Sequence, residues 1–211
     1  MMVILASVLA LGGLAQATVP YRSYTYDYWG KMIPASQAYL PAGMVSGSML
    51  GIGEFRSPRH VFADMNDRIY IVDSGNNRVV ITDDSWTVLS IISSFENNGQ
   101  MDSFTNPYGI FVSKENGIYV ADSENGRIVR LDHQGNLIQI LGRPTSDIPG
   151  VIPDDFIYQP RKIGVDSSGR IFVIARDVYE GLMSFDGNGD FQGFIGAPPV
   201  APSLADVFWS K

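Results

Sequence analysis

Gly117-Ile-Tyr-Val-Ala-Asp-Ser-Glu-Asn-Gly-Arg-Ile-Val-Arg-Leu131 is the segment from which the architecture of the chain can be predicted. Ile118, Val120 and Ile128 alternate with their neighbours, as in half-buried β-strands. Between these strands the chain has short polar side chains and a glycine, which are typical of a tight turn. The segment therefore predicts two antiparallel strands joined by a turn.

The same pattern occurs three times along the chain. A second copy runs from Arg68 to Ile81, and a weaker third copy runs from Arg170 to Phe185. Pro58, Pro107 and Pro160 open the three units, 49 and 53 residues apart. Each unit contains four short apolar segments separated by polar turns, and repetition of this kind is typical of the blades of a β-propeller.

The sequence thus predicts an all-β fold in which residues 55–196 form three four-stranded antiparallel blades. The predicted strands are 61–63, 69–72, 79–82 and 88–92 in the first unit, 110–112, 118–121, 128–131 and 137–141 in the second, and 163–165, 171–174, 182–185 and 191–195 in the third.

Segments 69–79 and 118–128 resemble the NHL repeat, whose typical unit has an apolar strand, Asp-Ser, Asn-Asn-Arg and a second apolar strand. The third copy departs from this pattern, with Ala175-Arg-Asp177 in place of Asp-Ser, and is similar to the third blade of exported bacterial NHL-repeat proteins described as gluconolactonase-like. Propellers of this family usually have six blades. The resemblance therefore implies half a propeller: either this is an N-terminal fragment of a longer chain, or a second copy supplies the three missing blades.

Composition limits the classes of partner. The chain has 211 residues, a net charge of −7 and no cysteine. Without cysteine there are no disulfides, thiolate metal sites or thiol nucleophiles. An acidic chain argues against nucleic acid as a partner, because phosphates require a basic face. It does not exclude a small anion held by a local cluster of arginines.

Residues 1–17 are apolar, carry no charged side chain and end in Ala15-Gln-Ala17. An apolar run with this ending is typical of a secretory signal peptide, and its length is close to that of a membrane anchor. The sequence therefore predicts an extracytoplasmic protein that is either secreted or held to a membrane through residues 1–17.

Residues 18–54 form a leader segment rich in Tyr, Pro and Gly. Tyr24, Tyr26 and Tyr28 alternate with polar residues, so an extended strand would place them on one face. Such a face serves either as an aromatic platform for sugars or as a surface that packs against the domain. Residues 197–211 are predicted to begin a following segment.

Strand direction places all the long loops on one face of the blades, because strands within a blade alternate in direction. These loops are residues 94–106, 143–158 and 177–181. Long loops in a compact domain often carry function. The residues that follow the three opening prolines start the innermost strands on this face.

Arg59, Tyr108 and Arg161 are these residues, and we expect them to converge toward the axis. Two arginines and a tyrosine can hold a carboxylate or phosphate through charge-assisted hydrogen bonds. Arg176 is a possible fourth member, since it breaks the repeat at the position where the other units have Ser74 and Ser123. The alternative is that these arginines pair with neighbouring aspartates.

No catalytic residue and no metal ligand set is predicted. Asp73 and Asp122 share one spacing to Arg78 and Arg127, and we interpret both as structural: capping their turns and pairing with the arginines. The two histidines, at positions 60 and 133, are expected on opposite faces, which prevents them from sharing a metal.

We therefore expect a non-catalytic binding module for a protein or glycan ligand, with no cofactor. The alternative that the resemblance implies is a metal-dependent lactonase- or lyase-type enzyme of propeller fold. In the related calcium-dependent lactonases a glutamate of the first blade contributes to an axial metal site, and Glu54 is the one plausible match.

Overall fold

The computed structural model describes residues 23–35, 43–115, 117–179 and 181–196. The chain divides into two compact units, Met1–Val45 and Ser46–Lys211. The predicted signal or anchor at residues 1–17 and the predicted following segment at 197–211 lie outside the described residues. Within the described ranges, no helix has the length and apolar character needed to cross a bilayer.

The first unit contains a β-hairpin made of β1 (Tyr24–Tyr26) and β2 (Met32–Pro34). The Asp27 carboxylate closes the turn between them, and Gly30 takes a left-handed backbone with φ of 74°. The sequence predicts Tyr28 on the same strand face as Tyr24 and Tyr26. This is wrong for Tyr28, because the strand ends at Tyr26 and Tyr28 lies in the turn.

All the other strands belong to the second unit. They are β3 (Pro58–Ala63), β4 (Ile69–Asp73), β5 (Arg78–Thr82), β6 (Val88–Ile92), β7 (Ser94–Asn97), β8 (Gln100–Ser103), β9 (Pro107–Val112), β10 (Ile118–Asp122), β11 (Arg127–Leu131), β12 (Leu137–Leu141), β13 (Pro160–Val165), β14 (Ile171–Ala175), β15 (Gly181–Phe185) and β16 (Phe191–Gly196).

Three four-stranded antiparallel sheets, each built from consecutive strands, make up this unit: β3–β6 (blade 1), β9–β12 (blade 2) and β13–β16 (blade 3). The predicted all-β propeller architecture is confirmed. The first strands, β3, β9 and β13, lie side by side, so the sheets are joined along their innermost edges. Each first strand begins at its opening proline, several residues earlier than predicted.

Two apolar cores fill the seams between neighbouring blades. In the first seam Tyr70 and Val72 of blade 1 pack with Ile110 and Leu131 of blade 2. The second seam joins blades 2 and 3 around Ile128 and a set of branched and aromatic side chains. Burial of these side chains supplies the main driving force for folding of a cysteine-free chain.

One row of apolar side chains recurs at the same register in every blade. In blades 1 and 2 the row is buried in the seam with the next blade. In blade 3 its members are 38–48% exposed, since no further described blade covers that face. The rows are Val72, Val79 and Ile92 in blade 1, Ala121, Ile128 and Leu141 in blade 2, and Ile174, Leu182 and Ile195 in blade 3.

The prediction of a long loop over residues 94–106 is wrong for most of that segment. β7 and β8 form a hairpin there, with Asn98 and Gly99 in the turn at φ of 53° and 80°. Asn-Gly favours tight hairpin turns because both residues accept a left-handed backbone. Phe95 and Phe104 are 3% and 1% exposed. The segment therefore extends the core of the first seam.

Arg127 ties this hairpin to blade 2. Its Nη1 and Nη2 donate to the two carboxylate oxygens of Asp102 at 2.7 and 2.8 Å, and its Nε donates to Asp122 at 2.8 Å. The bonds from Arg127 are the largest cause that holds the pKa of Asp102 well below its ordinary value.

Asp102→Asn is expected to loosen the hairpin. Loss of a charge-assisted, partly exposed contact should lower the free energy of unfolding by about 1–2 kcal/mol and raise amide exchange at residues 94–103. Because the pKa of Asp102 falls on folding, its contribution is present above the unfolded pKa of about 3.9 and is lost as the pH falls further. Chemical denaturation should therefore show the difference between wild type and variant narrowing below about pH 4. A difference that stays constant into acid would contradict this role.

Candidate functional site

Asp73 and Asp122 fix the chain just before the innermost strands begin. The Asp122 carboxylate accepts hydrogen bonds from the backbone N–H of Thr105 at 2.7 Å, from Asn125 Nδ2 at 2.9 Å and from Arg127 Nε at 2.8 Å. Asp73 repeats this set with the corresponding residues of blade 1. Both carboxylates are fully buried.

The predicted pairing of these aspartates with arginines is therefore confirmed. The predicted capping of their own turns is wrong, because the backbone donor lies 17 residues earlier in the chain. The carboxylate thus connects the segment that enters each blade to the end of its second strand. Blade 3 has Ala175 at this position and lacks the arrangement.

Ser74 and Ser123 link each blade to the next. The Ser123 hydroxyl donates to the carbonyl oxygen of Pro160 at 2.8 Å, and the Ser74 hydroxyl donates to that of Pro107. Each bond fixes the residue immediately before Tyr108 or Arg161. Sequence reasoning missed this role, although the recurrence of Asp-Ser in the first two units was the available signal.

Arg59, Tyr108 and Arg161 lie together, and we refer to them as the axial cluster. The guanidinium carbon Cζ of Arg161 lies 4.2 Å from the centroid of the Tyr108 ring, and that of Arg59 lies 5.2 Å from it. Both distances are within the range of cation–π attraction. Tyr108 and Arg161 are half-buried and Arg59 is exposed. The cluster is thus preorganised and accessible.

Gly109 allows the strands that carry the cluster to approach closely. A Cβ atom at this position would lie 2.2 Å from the carbonyl oxygen of Arg161 and 3.3 Å from Cα of Lys162. Only glycine leaves room for this contact between the backbones of β9 and β13. The distance between Tyr108 and Arg161 therefore depends on a glycine at position 109.

The cluster arginines differ from most others in what surrounds them. In the described part of the chain, no carboxylate forms an ion pair with Arg59 or Arg161, so the predicted alternative of aspartate pairing is not seen for these two. Five other arginines pair with a carboxylate within 3.2 Å: Arg68, Arg78, Arg127, Arg170 and Arg176.

Arg176, unlike Arg59 and Arg161, fits the alternative prediction that these arginines pair with neighbouring aspartates. Its Nε lies 3.2 Å from Asp177, and its Nη1 donates to the side-chain oxygen of Gln159 at 3.3 Å. Its backbone N–H donates to the carbonyl of Gln159, which places it beside the start of β13. Arg176 is thus near the strand that carries Arg161, but its side chain is engaged by its own neighbours.

His60 lies next to the cluster on β3 and contributes to the first seam. Its Nδ1 accepts the backbone N–H of Ile110 at 3.0 Å. Burial, and then the positive charge of Lys162, lower the pKa of His60. The ring is therefore neutral at about pH 7 with its proton on Nε2, so no free nitrogen lone pair remains for a general base.

Glu54, the candidate metal ligand of the first blade, is engaged by neighbouring side chains. Glu54 accepts a hydrogen bond from the Ser48 hydroxyl through its carboxylate, and its carbonyl accepts one from Asn76. Within the described ranges, no group of three acidic or histidine side chains is arranged to hold a metal ion. The axial cluster is accordingly the best-defined candidate site among these residues, and its two guanidinium groups have the chemistry that suits an anion.

Comparison with known proteins gives only distant similarities. No protein-family model and no curated protein matches the chain. The chain is similar to the solved structure of a streptogramin B lyase, with a TM-score of 0.44 and 13% identity over 80% of this chain and 46% of that one. It is also similar to a protein of unknown function from Bacteroides caccae, with a TM-score of 0.48 and 10% identity over 67% of this chain and 50% of that one. A third similar structure is that of a catalytically inactive virginiamycin B lyase from Staphylococcus aureus with quinupristin, with a TM-score of 0.46 and 13% identity over 83% of this chain and 49% of that one.

The chain spans about half the length of these structures.

Proposed function

We propose that the chain is part of an exported NHL-type propeller that binds an acidic group of a protein or glycan at the axial cluster, without catalysing a reaction. The observation that carries this proposal is the pair of arginines held against one tyrosine ring without a carboxylate partner among the described residues. Two preorganised guanidinium groups fit a carboxylate, sulfate or phosphate better than any neutral ligand.

Electrostatics support an anionic ligand at this place. The chain as a whole carries a net charge of −7, which disfavours nonspecific attraction of polyanions. Arg59, Arg161 and nearby Lys162 concentrate positive charge beside the axis. An acidic ligand would therefore be directed to this cluster rather than spread over the surface.

The experiment is a calorimetric titration with two acidic glycans, heparin and polygalacturonate, and with neutral dextran as reference. Arg59→Ala combined with Arg161→Ala should weaken binding of the acidic glycans more than tenfold, because each charge-assisted bond contributes about 1.5–3 kcal/mol. The circular dichroism spectrum and melting temperature should stay close to those of the wild type.

Lys114→Ala combined with Arg170→Ala is the matched control. Lys114 lies in the turn between β9 and β10, and Arg170 directly follows the turn between β13 and β14; both are exposed and lie on the face opposite the long loops. The control removes the same charge as the cluster variant and should leave binding nearly unchanged. Normal binding by the cluster variant, or equal losses in both double variants, would contradict the proposed site. Dextran binding as strong as that of the acidic glycans would contradict an anionic ligand.

A metal-dependent lactonase- or lyase-type enzyme is the competing function. Such an enzyme should bind calcium or zinc at one site, so titration with both ions separates the two proposals. A tight one-site isotherm would favour the enzyme. The hydrogen bond that occupies His60 Nδ1 argues against His60 as its general base.

A further inference from the structure

The hairpin formed by β1 and β2 presents an aromatic surface. Tyr28 and Trp29, at its tip, are 91% and 85% exposed, and their rings meet edge to face with centroids 5.1 Å apart. Along one side of the strands Tyr24, Tyr26 and Met32 are 57%, 60% and 60% exposed. An exposed patch of this composition in one short segment indicates an interaction surface.

The turn holds the tip aromatics in place without burying them. Asp27 Oδ1 accepts the backbone N–H groups of Trp29 at 2.9 Å and Lys31 at 2.8 Å, and the Asp27 N–H donates to the Lys31 carbonyl at 2.9 Å. The one carboxylate of the hairpin is thus directed at its own backbone. This leaves the tip with two aromatic rings and a single flanking cation, Lys31.

A two-stranded hairpin with three-residue strands cannot cover its own apolar side chains, and it is marginally stable in water without a partner. Tyr and Trp are enriched at membrane–water interfaces, because each combines an apolar ring with a polar O–H or N–H group. A lysine beside them complements lipid phosphates. The chemistry of the tip therefore fits a lipid headgroup layer.

The position of the hairpin in the chain favours the same partner. The apolar run ends at Ala17, and residues 18–22 separate it from Ser23, the first residue described. Five extended residues span at most about 16–18 Å. A run inserted in a bilayer would therefore hold the hairpin within or directly beside the interfacial region.

We infer that the 24–34 hairpin is a membrane-surface contact, with Tyr28 and Trp29 placed among lipid headgroups. This contact is independent of the axial cluster and positions the exported chain against a bilayer. A soluble glycan is the other class of ligand that an aromatic platform accepts, and the experiment separates the two.

The test uses variants of the 211-residue chain with one tryptophan each, reconstituted with phosphatidylcholine vesicles. Trp86→Phe with Trp209→Phe leaves Trp29 alone, and Trp29→Phe with Trp209→Phe leaves Trp86, which is 39% exposed in a turn of blade 1 and serves as the control. Vesicles should shift the Trp29 emission to shorter wavelength. Lipids brominated near the headgroup should quench Trp29 at least twice as strongly as Trp86.

Trp29 emission that stays at its aqueous wavelength in vesicle-bound protein would overturn the inference. Equal quenching of Trp29 and Trp86 would also overturn it, because the contact would then not be specific to the hairpin. A shift of Trp29 with soluble laminarin but not with vesicles would assign the surface to a glycan instead.

Discussion

Asp122→Ala should destabilise the chain by about 3–5 kcal/mol, because it leaves three donors without their buried acceptor. The backbone N–H of Thr105, Asn125 Nδ2 and Arg127 Nε all donate to this carboxylate, which is fully buried. Domains of this kind have total stabilities of about 5–15 kcal/mol. Chemical denaturation, followed by tryptophan fluorescence, measures the loss.

Asp84→Ala is the control, since Asp84 is an exposed aspartate whose side chain accepts one hydrogen bond from the described residues, from the Ser85 hydroxyl at 3.3 Å. It removes the same charge and should change stability by less than about 0.5 kcal/mol. If Asp122→Ala does not fold, Asp122→Asn keeps an acceptor for the Thr105 N–H and should lose about 1.5–3 kcal/mol. A variant at position 122 as stable as the control would show that the buried carboxylate is dispensable.

Gly109→Ala is expected to separate the innermost strands of blades 2 and 3. The new Cβ would fall 2.2 Å from a backbone oxygen of Arg161, which cannot rotate away as a side chain does. Overpacking of this kind typically costs about 1–3 kcal/mol. Since the shift displaces β13, we also expect weaker binding of acidic glycans than in the wild type.

Gly164→Ala tests the same substitution on an innermost strand with free space, because no atom beyond Gly164 and its two chain neighbours lies within 4 Å of the position that its new Cβ would take. This variant should be neutral or stabilising by about a few tenths of a kcal/mol. Comparison of the two melting temperatures isolates the effect of the backbone contact. Equal effects at positions 109 and 164 would show that close approach at Gly109 does not control the seam.

The sequence allowed the blades to be predicted because their signals are local. Apolar segments such as 69–72 and 118–121 predict the strands correctly, but the half-buried pattern expected from alternation is wrong, because β4 is buried from Tyr70 to Asp73 and β10 along its whole length. The recurring prolines also placed Arg59, Tyr108 and Arg161 in corresponding positions. Their proximity follows once the blades are known to lie side by side.

What could not be predicted depends on contacts between distant segments. The serine hydrogen bonds join residues that are 33 and 37 positions apart in the sequence. The need for a glycine at position 109 likewise comes from the backbone of another blade, at Arg161. The hairpin at Asn98-Gly99 does have a local signal in its Asn-Gly pair, which the prediction of a long loop did not take into account. Arg176 stands at a break in the repeat, yet pairing with the adjacent Asp177 explains that residue without a ligand.

The serine bonds between consecutive blades have a consequence for how the chain opens. Among the described residues the main strand contacts between blades join β3 to β9 and β9 to β13, so blade 1 is connected to blade 3 chiefly through blade 2. Blade 3 has Arg176 at the serine position, and its outward apolar row is uncovered by any described blade. Local unfolding of blade 3 would break the bond between Ser123 and Pro160 and carry Arg161 away from Tyr108. Occupancy of the axial cluster and local unfolding of blade 3 are thus opposing states of one equilibrium.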